Sequence, residues 1–222
     1  MLSVTDDDRL REILLDRPDK RNALTRDGLD ELRDAVESAS QPVVYVRGAG
    51  DAFCAGADLG TVRGLDGESG EAFARRGQRT TNAIEDADSV VVAGVDGPAR
   101  GGGVELALAC DLRVCTPRAS FAETGVTLGL FGAWGGTRRL RRAVGATHAA
   151  DLSLSGRTVD AEAAREMGLV SRVVDDPEKV AEEIASNDPD ALRELKALLR
   201  TDGDRETTDE REAGAFGRLL DE

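Results

Sequence analysis

Lysine is nearly missing from this chain: Lys20, Lys179 and Lys196 are its three lysines in 222 residues, and almost every basic side chain is an arginine. Acidic residues outnumber basic ones by 43 to 29, for a net charge of −14. Such a surface repels phosphate backbones and anionic lipid, which argues against nucleic acid and membranes as partners. Aromatic residues are also scarce, with five phenylalanines, one tryptophan and one tyrosine. Together with the acidity and the missing lysines, this reads as adaptation to a high-salt cytoplasm, where screening offsets self-repulsion. Cysteine occurs only at Cys54, Cys110 and Cys115. These fit no zinc spacing and cannot all pair, so free thiols in a reducing compartment are expected. Histidine occurs once, at His148 inside a predicted helix, and is read as structural. No run of about 18 apolar residues exists, and the start MLSVTDDDRLRE has neither the basic opening nor the apolar stretch of a signal peptide. A soluble, cytoplasmic protein is expected, with no metal because no ligand cluster is present.

What is there is an alternation of strand and helix. Arg9 to Asp16 and Val43 to Arg47 read as strands, the second fully buried and bounded by Pro42 and Gly48. Between them Thr25 to Ala39 predicts a helix, with Thr25 as N-cap and Leu29, Leu32, Ala35 and Val36 on one face. The pattern recurs as strand Val90 to Val95, helix Gly103 to Cys110, and short strands at Asp111 to Cys115 and Ala119 to Ala122. An α/β core with parallel or mixed strands follows. Beyond Gly135 the chain turns mostly helical: 137–144, 147–154, 160–167, 177–185 and 189–199, broken by a strand-like 169–174. The glycine-spaced segment Thr61 to Arg79 is polar enough for an active-site flap, and equally for an ordinary surface loop and helix.

Glycine concentrates in two loops. Phe53-Cys-Ala-Gly-Ala-Asp-Leu59 follows the buried strand, and Gly101-Gly-Gly103 opens a helix after the next one. Glycine lets a ligand approach main-chain N–H groups, and a helix start carries free N–H groups with partial positive charge. The triple glycine completes neither a dinucleotide fingerprint nor a P-loop. Two such loops can present convergent donors to an oxygen that becomes an enolate, a contribution on the order of 3 kcal/mol per donor.

Arg17-Pro-Asp-Lys-Arg-Asn-Ala-Leu24, the Phe53–Leu59 loop, Gly101-Gly-Gly-Val-Glu-Leu106 with Cys110-Asp111, Leu128-Gly-Leu130, Gly135-Gly-Thr-Arg-Arg-Leu140 and Gly168-Leu-Val170 stand in the order of the signatures of the crotonase (enoyl-CoA hydratase/isomerase) superfamily. The chain resembles that family from about Arg9 onward. The resemblance implies an α/β spiral of ββα units over residues 1–144 carrying an acyl-CoA site. It also implies a mainly helical trimerisation region over 145–222, shortened relative to the family, and a homotrimer or dimer of trimers. No cofactor is implied beyond the coenzyme A of the substrate. By motif position the oxyanion donors are the N–H groups of Ala57 and Gly102. The segment Lys20 to Leu24, including Arg21 and Ala23, lines the CoA with Ala55, Asp58 and Leu59; Lys20 and Arg21 are candidate phosphate partners.

Glu105, in the first turn of the helix that the glycines open, is the leading acid/base residue, and Asp58 is read as fixing its loop. The family's second glutamate matches Gly125. Glu123, two residues earlier, is a candidate secondary acid/base; on an extended segment it faces the same side but sits about 6.5 Å away. Three readings follow: a hydratase adding water to a 2-enoyl-CoA, a Δ3,Δ2-enoyl-CoA isomerase using one glutamate, or a non-catalytic acyl-CoA-binding subunit. Phe131 and Trp134 either narrow the acyl pocket or pack beneath the following helix.

Overall fold

Val43, Val44 and Val46, and Val90, Val91, Val92 and Val95, are wholly or almost wholly buried, as befits strands covered on both faces. In the computed structural model, which describes residues 1–201 and 203–220, these runs are the centre of a six-stranded sheet. Its strands are β1 (Leu2–Asp6), β2 (Leu10–Leu15), β3 (Val43–Gly48), β4 (Val90–Val95), β6 (Leu112–Cys115) and β9 (Arg172–Val173), neighbours in that order. β1 runs antiparallel to β2 and all other neighbours are parallel. A smaller sheet joins β5 (Pro98–Arg100), β7 (Ser120–Ala122) and β8 (Val159–Asp160), with β7 in the middle. This is the mixed α/β architecture that the resemblance implies.

Alternate residues of β4 point to opposite layers, as strand geometry dictates. Val91, Ala93 and Val95 enter the main core with Leu29, Leu32 and Val36 of α1 (Arg26–Glu37). Val90 and Val92 enter a second cluster with Val43, Tyr45 and Val114, closed by Val180, Ala181 and Ala185 of α7 (Pro177–Ala185). Thr25 caps α1 as expected, its hydroxyl accepting from the Gly28 N–H at 3.2 Å. Leu2–Asp6 escapes a pattern search because its residues are exposed or only partly buried, and it pairs through backbone along β2.

Of the two readings of the Thr61 to Arg79 segment, the surface loop and helix is the one the structure bears out. After the single turn α2 (Leu59–Val62), α3 spans Gly67–Asp86, capped by a reciprocal Asp66–Ser69 box. Phe73, Gly77, Thr80, Thr81 and Ile84 recur at helical spacing and bury one face, so polarity on the opposite face concealed an amphipathic helix. The two helices expected over 137–144 and 147–154 merge into α5 (Gly136–Ser155), broken at Gly145, whose φ of 74° is left-handed. The remaining helices are α4 (Gly102–Ala109), α6 (Ala161–Glu166), α8 (Pro189–Arg200) and α9 (Arg205–Arg218). Lys196 on α8 is buried, bonding Asp111 at 3.0 Å and the Ser89 carbonyl at 2.7 Å, which ties the helical region to the sheet. His148 is exposed on α5 rather than packed in the core. Cys54, Cys110 and Cys115 are free and buried.

Candidate active site

The Phe53–Leu59 loop is held by the turn that precedes α1. Asn22, in the left-handed region at φ 57°, is buried, and its amide donates to the carbonyls of Ala49, Ala52 and Phe53 at 2.9, 2.8 and 3.2 Å. The backbone adds Leu24 N–H to Gly56 O and Asp58 N–H to Leu24 O. That pairing leaves the Ala57 N–H between them with no hydrogen-bond partner among the described residues. Gly102, the first residue of α4, is likewise without a partner for its N–H, as helix geometry requires. The two loops touch at Gly56, with φ 84°: a Cβ placed there lies 2.7 Å from both the Gly102 nitrogen and the Arg100 carbonyl oxygen. Glycine at 56 is thus what allows the two free donors to come together.

Glu105 lies one turn into α4 and is 1% exposed. Its Oε1 accepts from the N–H groups of Trp134 at 2.8 Å and Gly136 at 2.7 Å. Gly132 and Gly136 press against this side chain so closely that a Cβ on either falls 2.6 Å from it. Burial pushes the Glu105 carboxyl up, against the opposing pull of the Gly136 and Trp134 N–H groups and the charge of Arg139. The Trp134 ring rests on Gly77 and Gly102 and meets Phe73 edge-on at 6.0 Å, while its carbonyl accepts from Thr81 and Arg139. Of the two readings left open for the aromatics, narrowing of the cleft holds for Trp134, which is buried and forms its inner wall against Gly77 of α3 and Gly102 of α4; Phe131 is 75% exposed at its mouth.

That cleft, about 410 Å³, brings together Ala55, Ala57, Leu59, Gly102, Glu105 and Gly125. Lys20, Arg21 and Ala23 lie outside its lining, on the turn that pairs with it; the Arg21 carbonyl accepts from the Ala55 N–H. Asp58 caps α2, accepting from the Thr61 N–H at 3.0 Å, and pairs with Arg17 at 2.9 Å. A hollow of about 480 Å³ between α8 and α5 is larger, but its acids, Glu85 and Asp111, are already paired with Arg139, Lys196 and Arg200. The chemistry therefore points to the smaller cleft.

Glu123 departs from the extended geometry expected of it. The chain leaves β7 and coils at once into a 3-10 turn over Thr124–Leu128, so residues 123 and 125 do not share a strand face. Gly125 faces the cleft with the Leu130–Phe131 backbone tight over it, a Cβ there lying 3.0 Å from the Phe131 Cα. Glu123 is 9% exposed and lines a separate cavity of about 40 Å³ together with Glu105. Burial, and secondarily the Glu105 charge, push its carboxyl up to about 8. The native state thus binds a proton here that the unfolded chain releases near the ordinary glutamate value of 4.5, so this contribution to stability is full below pH 4.5 and lost as pH rises to about 8. Glu123→Gln, which mimics the protonated acid, is expected to raise Tm above wild type at pH 9, by roughly 2–4 °C per kcal/mol relieved, and to leave it unchanged at pH 4. Thermal melts across that range check the sign.

Comparison with known proteins agrees with this geometry. The family model described as Enoyl-CoA hydratase/isomerase matches residues 6–216. The chain belongs to the enoyl-CoA hydratase/isomerase family. The crotonyl-CoA hydratase of Syntrophomonas wolfei is 35% identical over 226 aligned positions, covering 95% of this chain and 86% of the relative. The short-chain-enoyl-CoA hydratase of Clostridium acetobutylicum is 33% identical, covering 84% and 76%. The crystal structure of an enoyl-CoA hydratase from Bacillus anthracis superposes with a TM-score of 0.94 at 34% identity, covering all of this chain and 91% of the other. This hydratase/isomerase-family enzyme contains, among the described residues, no helix long and apolar enough to cross a membrane. Within the family motif the sequence did not single out Asn22, whose left-handed backbone and three-carbonyl grip hold the loop; an asparagine in a basic turn before a capped helix was its only signal.

Proposed function

We propose that this enzyme is an enoyl-CoA hydratase, adding water reversibly across the double bond of a 2-enoyl-CoA. The observation that carries it is the meeting of two unpaired backbone donors, Ala57 and Gly102 N–H, beside the buried carboxylate of Glu105. The thioester oxygen accepts from both donors. As the oxygen of water bonds to the β-carbon, Glu105 takes one of its protons and the double-bond electrons move onto the thioester oxygen as an enolate. The enolate collapses as its α-carbon takes back from Glu105 the proton that came from water, which completes the addition and returns Glu105 to its carboxylate. Preorganised donors stabilise that charge most in a dry site, about 3 kcal/mol for each. Lys20 and Arg21, on the turn beside Ala55, provide charge for CoA phosphates, and coenzyme A enters as part of the substrate rather than as a cofactor.

A second reading, Δ3,Δ2-enoyl-CoA isomerisation by Glu105 alone, draws on Gly125, which presents no carboxylate to the cleft. Hydration is favoured because the cavity behind Glu105, at about 40 Å³, exceeds the roughly 10–15 Å³ that one water needs. Assay of crotonyl-CoA in high-salt buffer, following loss of the conjugated thioester absorbance, is expected to give 3-hydroxybutyryl-CoA. Conversion of 3-hexenoyl-CoA to 2-hexenoyl-CoA without any hydration would overturn the hydratase reading. For assembly we propose a trimer, supported by the exposed apolar side chains Leu154, Leu195, Leu199, Phe216 and Leu220 in the C-terminal region. The cytoplasmic, high-salt setting rests on composition.

A further inference from the structure

Glu105 is approached from two directions. From the front it borders the cleft with Ala57 and Gly102; from behind it borders the cavity of about 40 Å³ that it shares with Glu123, Thr137 and Ser153. Three observations bear on what the rear cavity can hold. Glu123 is 9% exposed, yet its carboxyl meets no hydrogen-bond partner among the described residues. Both N–H bonds to Glu105 fall on Oε1, leaving Oε2 toward Gly132, which borders both spaces. Thr137 is exposed and Ser153 half-buried, so the far end of the cavity lies next to solvent.

A nearly buried carboxyl without a partner is costly, and a space of this size, largely apolar in its walls but bordered by Glu105, Glu123, Thr137 and Ser153, suits an ordered water. We propose that Glu123 and this cavity form a rear inlet through which water and protons reach Glu105 while an acyl-CoA fills the front cleft. The inference rests on the hydratase reading. Glu123 acts through water and Glu105 and does not touch the substrate, so it is a positioning residue. In hydration one water proton passes to Glu105 and Glu105 returns one to the α-carbon; between the two, the inlet lets Glu105 exchange its proton with a cavity water held by Glu123, with no net change in the pair. Glu105 is the titratable group whose charge reaches Glu123, and Arg139 contributes charge at Glu105; the rest of the wall, Thr137, Ser153, Leu140, Val126, Phe131 and the glycines at 132 and 136, does not titrate.

The test compares wild type, Glu123→Gln and Ser153→Leu in crotonyl-CoA hydration from pH 6 to 10. Blocking the inlet is expected to lower kcat about tenfold, a small part of the range for acid–base catalysis, with KM unchanged in both variants. Glu123→Gln should also abolish an inflection of kcat near pH 8. Glu123→Gln is isosteric with the protonated acid and keeps the test open if the leucine plug unfolds the protein. Wild-type kcat and pH profile in Glu123→Gln would overturn the proposal, as would a raised KM at constant kcat, which would make Glu123 a support for the substrate wall. A loss confined to Glu123→Gln, with a folded Ser153→Leu fully active, would make Glu123 matter without any inlet. If wild type binds crotonyl-CoA but does not hydrate it, the hydratase reading itself fails and this inference with it.

Discussion

Glu105→Gln is expected to reduce kcat for crotonyl-CoA hydration by roughly 10²–10⁴-fold, the span typical of a positioned acid–base group, while KM changes little. The reason is separable from folding. Oε1 of Glu105 accepts from the Trp134 and Gly136 N–H groups, and a glutamine carbonyl can take the same two bonds. What the amide cannot do is accept a proton from water. Glu105→Ala tests the other half of the argument, because it removes the acceptor as well. Two buried N–H groups then lose their partner at about 1–3 kcal/mol each, so the alanine variant should melt well below the glutamine one. The pH dependence carries the same signature. Burial pushes the Glu105 carboxyl above the ordinary value of 4.5, so activity that needs its ionised form should rise only above the usual carboxylate range, and that limb should vanish in Glu105→Gln. Glu105→Gln turning over at the wild-type rate would remove this residue from the chemistry.

The second large effect is expected at a residue with no side chain. At Gly56 a methyl group meets the Gly102 nitrogen and the Arg100 oxygen, each at 2.7 Å, and both are backbone that cannot swing aside. Gly56→Ala must therefore separate the two glycine loops, and the left-handed φ of 84° adds strain of more than about 1 kcal/mol. Losing one donor of the pair costs about 10²–10³-fold in kcat. Gly67→Ala is the control: it sits at the start of α3, and a Cβ there meets nothing within 4 Å. Steady-state kinetics on the two variants, with a thermal melt of each, separate a donor effect from global destabilisation. Equal activity in both would show that the meeting of the loops at Gly56 does not matter to the reaction.

Much of this molecule was legible in its sequence. The valine runs of β3 and β4, the Thr25 cap and the spacing of Leu29, Leu32 and Val36 fix strands and helix through local periodicity and capping, which act over a few residues. The ordered glycine motifs carried the family, and with it the approximate place of Ala57, Gly102 and Glu105. Three features were decided only by packing. Flap and surface helix could not be told apart at α3 because its exposed face is polar and its buried face includes glycine and threonine, residues whose inward position depends on α1 and Trp134 standing opposite. Leu2–Asp6 became a strand because β2 offered an open edge, not because its side chains alternate. The place of Glu123 depended on the turn after β7, which converts a separation along an extended chain into a cavity shared with the distant Glu105 of α4. Sequence determines which groups are available and how each short segment bends; the protonation of a buried carboxyl, and the company it keeps, follow from which distant segments exclude water around it, and that is a property of the tertiary structure alone.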